Sequence, residues 1–464
     1  MGMDAVLTDE ARERRRSAAQ SLIFDLAEQG VVAVATTFID NSGITRVKAV
    51  PLERLPSLAA WWVGISTSVD RFRFDGWIAA PVDGSAPVGD LRIIPDVRRL
   101  VPLAAQPGWA WAPADRYAQT GAPHDQDSRL LLQRLTDELA DQGLTVKTTY
   151  EIEWVVSAGD GDEFTPGVQG PGYGMHRLVG LSDYSADVIS ALIAEGVTVE
   201  QFHPEYAAGQ LELSVAPEDP VGAADTSVLV RSTVRAVGEA YGFRTSYSPK
   251  VAVPGVGNGG HVHLSLWRDD RNLFAGGGRA FGLTSEADAF GAGVLSRLPA
   301  LLALGAPSPV SYLRLVPSHW AGVYACWGLE NREAAMRMVT GSAGSHPWAA
   351  NMEVKCFDLL ANPYLLLAGL LAAGAAGLAE GATLPDPVDV DPAVLDETAL
   401  AERGVVRLPM TLRESLDAFV ADDALTAAFG RELVASIVAV RESEMELFDK
   451  ASDSDVAAAL RWTH

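Results

Sequence analysis

The sequence predicts an α+β protein of two domains, a small, mostly β domain ahead of a larger one in which helices and strands are mixed. Three observations predict it. The chain has 464 residues, more than one typical core organises. Its first hundred residues hold several short β-type runs behind a single amphipathic stretch. From about residue 127 onward, capped helical stripes are interleaved with segments of period two.

The N-terminal stretch predicts an amphipathic helix with Leu22, Ile23, Leu26 and Ala27 on one face, stopped at Gly30. Residues 31–38 and 44–51 flank Asp40-Asn41-Ser42-Gly43, which reads as two strands and a turn. Further strands are expected at Trp61 to Thr67 and at Asp90 to Asp96. Trp109 and Trp111 then sit among Pro, Gly and Ala between Pro107 and Pro113, which places the expected boundary there and gives domains 1–110 and 111–464. The next helix, 127–142, has Asp127 and Ser128 as its cap, a stripe of Leu130, Leu131, Leu135 and Leu139, and Gly143 as its stop. A strand from Thr145 to Val156, a helix over 183–196 with Asp183 as cap, and a strand pair from Val197 to Ser214 turning at Ala207 to Gly209 follow. Beyond them come a helix over 220–241, a glycine turn feeding a strand at Asn258 to Trp267, a strand at Tyr312 to Val316 running into a loop, and an alternating segment from Asn351 to Asp358. The apolar run Leu365 to Leu378 is shorter than the roughly 20 residues of a membrane span and is read as a buried helix.

Composition narrows the function. The 48% of hydrophobic residues suits a large buried core, and no stretch is of low complexity. The formal net charge of −24 argues against a nucleic-acid partner, which requires a basic face. Two cysteines, Cys326 and Cys356, make no disulfide scaffold and fit a reducing compartment. The N-terminal stretch lacks the apolar core and cleavage site of a signal peptide, so a cytoplasmic protein is expected.

The polar residues inside the strands carry the chemistry. Residues two apart on a strand share a face, so His261 and His263 project together after the side-chain-free Gly259-Gly260, with Ser265 continuing the same face. Glu151 and Glu153 likewise share one face, opposite Tyr150, Ile152 and Trp154. Adjacent carboxylates repel unless a cation or water separates them, so the pair marks either a cation site or a solvated face. Glu200, Glu205 and Glu212 fall where a sheet directs them inward. Three strand segments thus offer ligands rich in oxygen with one imidazole, a set that suits Mg²⁺ or Mn²⁺ better than Zn²⁺. Two such ions close together serve phosphoryl transfer. Arg332 and Arg337 add groups suited to phosphate or carboxylate.

Taken in order, six segments resemble the glutamine synthetase family of the bacterial type. They are Glu151-Ile152-Glu153, the run from Glu205 to Glu212 ending G-Q-x-E, Asn258 to Ser265, Arg314-Leu315-Val316-Pro317, Asn331 to Arg337, and Glu353 to Tyr364 with Asn362-Pro363-Tyr364. The resemblance implies a small N-terminal β-grasp-like domain and a large catalytic domain with a curved antiparallel sheet and helices. It also implies two stacked hexameric rings, a dodecamer with active sites shared between neighbours. The family activity is ATP-dependent ligation: glutamate attacks the γ-phosphate, and an amine displaces phosphate from γ-glutamyl phosphate. By resemblance Glu153, Glu205 and Glu212 hold one Mg²⁺ or Mn²⁺, and Glu151, His261 and Glu353 the other. Glu200, His263, Ser265 and Arg337 match nucleotide-binding positions, Arg332 contacts the transferring phosphate, and Asn258, Gly259, Arg314 and Lys355 belong to the glutamate site.

The departures from the family pattern are specific. The loop after Pro317 normally bears a glutamate that binds and deprotonates ammonium, and here Trp320 stands in its place. The aspartate of an F-D-G-S-S segment, lent by a neighbouring subunit, is replaced by Val63. Lys355 replaces an arginine and loses its fork. An indole suits an alkyl amine, with a cation–π contribution on the order of 0.5–2 kcal/mol. The resemblance therefore implies the branch that joins glutamate to a primary organic amine, as γ-glutamylpolyamine and γ-glutamylethanolamide synthetases do, within polyamine or ethanolamine and nitrogen metabolism. The alternatives are an ordinary glutamine synthetase using ammonium and a homologue that binds without turnover. The sequence does not name the amine.

Overall fold

The computed structural model describes residues 8–80 and 88–464. The start of the N-terminal stretch, residues 1–7, lies outside them. The first sheet is built from β1 (Ala33–Ile39), β2 (Thr45–Pro51), β3 (Val63–Ser66), β4 (Asp90–Pro95), β5 (Val101–Pro102) and β6 (Trp109–Tyr117), in the order β2-β1-β6-β4-β3 with β5 against β6. Its centre is the parallel pair of first and last long strands, Ala33 opposite Trp109, which is the β-grasp arrangement. The helix Asp9–Glu28 covers it, with Leu26 buried, Leu22 and Ile23 packed against the small cluster that includes Val34 and Leu55, and Ala27 left outside. The expected boundary at residue 110 falls inside β6, which pairs with β1, β4 and β5. Trp61, expected in a strand, ends the helix Leu55–Trp61.

The second sheet comprises β7 (Thr145–Ala158), β8 (Val199–Pro204), β9 (Gln210–Val215), β10 (Phe243–Ser246), β11 (Gly260–Arg268), β12 (Arg271–Asn272), β13 (Tyr324–Leu329), β14 (Ala334–Val339), β15 (Asn351–Val354) and β16 (Val406–Arg407). The order is β16-β13-β14-β15-β11-β7-β9-β8, antiparallel throughout except for the parallel pair β13 and β14. Alternation gives this sheet two characters. Tyr150, Ile152, Trp154, Leu211, Leu213, Val262, Leu264, Met336, Met352 and Val354 face the main core. That core is completed by the helices Ser128–Ala140, Pro220–Ala240, Ser285–Gly305 and Pro363–Glu380. Each large apolar side chain buried there contributes about 1.5–3 kcal/mol, and together they fix the register that turns the intervening polar residues the other way.

The helix over 128–140 is capped as expected, Asp127 accepting from the Leu130 N–H. The next one starts at Ser182 after Leu181, so Asp183 lies in its first turn and is not its cap. The Pro363–Glu380 helix is capped by Asn362, whose Oδ1 accepts from Tyr364 and Leu365. That helix and Ser285–Gly305 are long and apolar enough to cross a membrane, but 72% and 83% of their apolar windows are buried in the fold. The strand expected at Tyr312 to Val316 is absent. Pro309 opens a short 3-10 turn, Pro309–Leu313, and Arg314 remains in the right-handed helical region, because prolines at 309 and 317 favour a tight turn over a paired strand.

Candidate active site

The polar face of the second sheet floors a cavity of about 750 Å³. Cross-strand register determines which side chains meet there. His261 lies opposite Glu151, His263 opposite Glu353, Glu153 opposite Glu212, His203 opposite Glu212, and Arg337 opposite Glu353. Facing residues on one side of a sheet have Cβ atoms about 4.5–5.5 Å apart, within reach of one cation or one hydrogen bond.

Two clusters result. In the first, ligand-type atoms of Glu151, His263 and Glu353 lie within 4.8 Å of one another, and in the second those of His203, Glu205 and Glu212 do. His263, placed at the nucleotide by resemblance, thus joins Glu151 and Glu353, and His203, given no ligand role from the sequence, joins the other group. His261 contacts the same carboxylates through Nδ1, 2.9 Å from Glu151 Oε2 and 3.3 Å from Glu353 Oε1. Its Nε2 faces the Arg314 guanidinium at 3.1 Å, and a guanidinium only donates, so Nε2 accepts and the ring proton sits on Nδ1. Glu153 accepts from Gln210 Nε2 at 3.0 Å and from the Gly259 N–H at 2.8 Å. Gly259 is required for this approach: a Cβ there would stand 2.5 Å from His261 Nε2 and 2.9 Å from Glu153 Oε1.

The electrostatics of the clusters differ. Burial raises the Glu151 carboxyl, but hydrogen bonds from His261 and His263 outweigh it and hold the group well below the usual range. Burial raises Glu353 as well, yet Lys355 and the two histidines bring it down to about 2. Glu212 is pushed up to about 7 by burial, against the hydrogen bond from His203. His203 is raised to about 9 by that same bond, despite its own burial. A charge-rich first cluster therefore adjoins a second in which carboxyls crowd one another.

The remaining predicted residues divide. Arg314, Arg332, Arg337 and Lys355 line the cavity. Arg314 donates to the carbonyls of Lys355 and Phe357 at 3.3 Å, and Arg337 Nη1 donates to Glu353 Oε2 at 3.0 Å. Asn258 is buried below the floor, its side chain joined to Gln210 and to the Ser248 carbonyl. Ser265 accepts from the indole of Trp267. Glu200 falls at the irregularity between Val199 and Gln201, exposed and off the lining. Val63 begins the edge strand β3 and does not line the cavity.

Trp320 stands at the mouth, 48% exposed, edge-to-face with Tyr206 at 6.0 Å. Its backbone is in the left-handed region with φ 54°, and its N–H donates to Glu333 Oε1 at 2.8 Å. A bulky residue in that region is a strained arrangement of the kind found at ligand sites. Tyr173 and Tyr206 also line the cavity, and sequence periodicity carried no signal for either because both lie in loops.

The donor set fits divalent cations. His263 Nε2 stands 3.2 Å from Glu151 Oε1, and Glu353 offers a third ligand-type atom within 4.8 Å of both, so the three converge on one position.

A polar sheet face carrying paired carboxylate–histidine clusters under a cavity with a basic rim is the apparatus of a phosphoryl-transferring ligase. The glutamine synthetase catalytic-domain family matches residues 125–457, and the chain belongs to the glutamine synthetase family. It is 54% identical over 449 residues to gamma-glutamylpolyamine synthetase GlnA3 of Streptomyces coelicolor, covering 96% of each chain. It is 29% identical over 424 residues to glutamine synthetase of Rhizobium leguminosarum bv. phaseoli, covering 89% of this chain and 92% of that one. Among solved structures, a glutamine synthase homologue superposes with a TM-score of 0.82 at 32% identity, over 93% of this chain and 99% of that one. GmaS in complex with ADP superposes with a TM-score of 0.81 at 27% identity, over 93% and 97%.

Proposed function

We propose that the protein is an ATP-dependent ligase that joins the γ-carboxyl of glutamate to a primary amine larger than ammonium, with a polyamine as the favoured substrate. One observation carries the choice of amine: the Trp320 ring occupies the cavity mouth, packed on Tyr206, above a floor of carboxylates. Ammonium is small and strongly hydrated and needs anionic ligands, whereas an alkylammonium lays its chain on aromatic rings. The Streptomyces relative, named for its action on polyamines, supports the same reading.

Mg²⁺ or Mn²⁺ would be held by Glu151, His263 and Glu353, with His261 beside them, and by His203, Glu205 and Glu212, with Glu153 beside them. Such ions supply electrostatic stabilisation of phosphoryl oxygens. The chain's own residues do the rest. Arg332 and Arg337 direct guanidinium groups at phosphate oxygens. Arg314 ties His261 to the segment that follows β15, through the carbonyls of Lys355 and Phe357. The γ-carboxylate oxygen of glutamate attacks the terminal phosphorus as ADP leaves. The nitrogen of the neutral amine then attacks the acyl carbon, the bond from that carbon to the phosphate oxygen breaks, and the nitrogen's proton ends on the departing phosphate. GmaS was solved with ADP, which supports a nucleotide in this cavity. The free, buried Cys326 and Cys356 fit a cytoplasmic location, and the resemblance to the family favours an assembly of two hexameric rings.

The test is phosphate release from ATP with Mg²⁺ and glutamate across ammonium, ethanolamine, putrescine, spermidine and spermine, with mass spectrometry of each product. Turnover concentrated on spermidine or spermine is the expected result. Turnover mainly with ammonium would make the enzyme an ordinary glutamine synthetase, and none with any amine would make it a binding homologue.

A further inference from the structure

Arg177, in the short helix Met175–Gly180, is only 2% exposed, and all of its hydrogen bonds among the described residues go to backbone carbonyls. Nη1 donates to Glu205 O at 2.7 Å, Tyr206 O at 3.2 Å and Ala207 O at 2.7 Å. Nε donates to Gly170 O at 3.0 Å, and Nη2 reaches the same carbonyl. A buried guanidinium bound only by carbonyl dipoles is a costly device for stability alone. Its planar fork is, however, well suited to fixing several carbonyls at once.

The two segments that Arg177 ties together both shape the cavity. One, residues 170–174, carries Tyr173; the other carries Glu205 and Tyr206. They press closely on each other: a Cβ at Gly172 would lie 3.1 Å from Tyr206 Cα and 3.3 Å from its ring. The Tyr206 N–H donates to Glu205 Oε2 at 2.7 Å, which ties the carboxylate to the same turn that carries the ring. Tyr206 is 53% exposed and leans edge-on against Trp320, which leaves two large rings open at the mouth of an acidic cavity. Exposed aromatic surface beside buried carboxylates is complementary to a cation on a methylene chain.

We propose that Tyr206 and Trp320 form the wall along which the methylene chain of the amine lies, and that Arg177 is the positioning residue that sets this wall. The inference rests on the amine-ligase reading above. It predicts that selectivity rises with amine length because each added methylene meets a ring, and that the wall is lost when the turn at residues 205–207 is released.

Initial rates of phosphate release with propylamine, putrescine, spermidine and spermine, at saturating ATP and glutamate, test it in the wild type, Tyr206→Ala and Arg177→Lys. The expected result is that Tyr206→Ala lowers the spermine-to-propylamine ratio of kcat/KM at least tenfold, chiefly through KM for spermine. Arg177→Lys should lower the same ratio at least fivefold, with KM for ATP within twofold of wild type. An unchanged ratio in Tyr206→Ala, in a wild type that uses spermine, overturns the wall. An unchanged ratio in Arg177→Lys, with a lowered Tm and equal losses for all amines, reduces Arg177 to a structural role and overturns that half. A wild type inactive with every amine overturns the ligase reading itself, and the wall with it.

Discussion

Lys355 Nζ donates to Glu353 Oε1 at 2.8 Å, and the two side chains are 3% and 1% exposed. The lysine assigned to glutamate from its sequence position thus first of all neutralises a cluster carboxylate. Glu353 is held at about 2, below its ordinary 4.5, so its stabilising contribution is present above 4.5 and is lost as pH falls toward 2. Lys355→Met should destabilise the free protein by about 3–5 kcal/mol at neutral pH, the usual effect of removing one partner of a buried pair. It should also shift acid unfolding to higher pH, and added MgCl₂ should raise its Tm more than that of the wild type. Acid titrations followed by circular dichroism, with identical midpoints for both proteins, would refute this account.

Glu212 sits opposite both Glu153 and His203 in the sheet, at the centre of the second cluster. Glu212→Ala should reduce ATP turnover at least about a hundredfold, the upper range seen when groups supporting a metal are removed. Its fold should be unaffected, since the variant relieves crowding among carboxyls. Phosphate release and far-UV circular dichroism check both halves. Retention of more than a tenth of the turnover would exclude the cluster from the reaction.

Trp320→Glu should restore an anionic group at the mouth and remove the aromatic wall. The ratio of kcat/KM for ammonium to that for spermine should rise by about tenfold, equivalent to about 1.4 kcal/mol. Coupled assays with both amines decide it, and a ratio unchanged within twofold would separate Trp320 from amine choice.

Asn362 caps the Pro363–Glu380 helix through Oδ1, while its Nδ2 donates to Ile39 O, Asp40 O and Ser128 Oγ. The two ends of one amide thus serve the helix and the junction with the first sheet. Asn362→Asp keeps the cap and loses the donor, so it should cost about 1–3 kcal/mol. Asn362→Ala should cost about 1 kcal/mol more for the lost cap. Denaturant titration that found both variants equal would assign the whole effect to the junction.

Much of this arrangement was legible in the chain. The alternation of Glu151 and Glu153 with Tyr150, Ile152 and Trp154 is a period-two signal, and the structure puts the two sets on opposite faces. His203 was less legible because its partner Glu212 is assigned by pairing between two strands, which no local period reveals. Glu200 was misdirected by counting: the irregularity at Val199 and Gln201 adds a residue to one strand and breaks the alternation. Arg177 had no signal at all, since a lone arginine after a glycine-rich loop looks the same whether it is solvated or binds carbonyls. The segment Tyr312 to Val316 has strand-forming residues, but the flanking prolines carried more weight than propensity.

β7 also acts as a ruler. Glu151 belongs to one cluster and Glu153 borders the other, and alternate residues of a strand are separated by about 6.4–6.8 Å. The spacing of the two charge-binding centres is therefore set by the pitch of a polypeptide backbone clamped between β11 and β9. Surface loops can lengthen, shorten or exchange residues to admit a new amine without altering that interval. On the proposed reading, the residues at the mouth govern the choice of amine, while the interval between the two clusters is held by the strand beneath them.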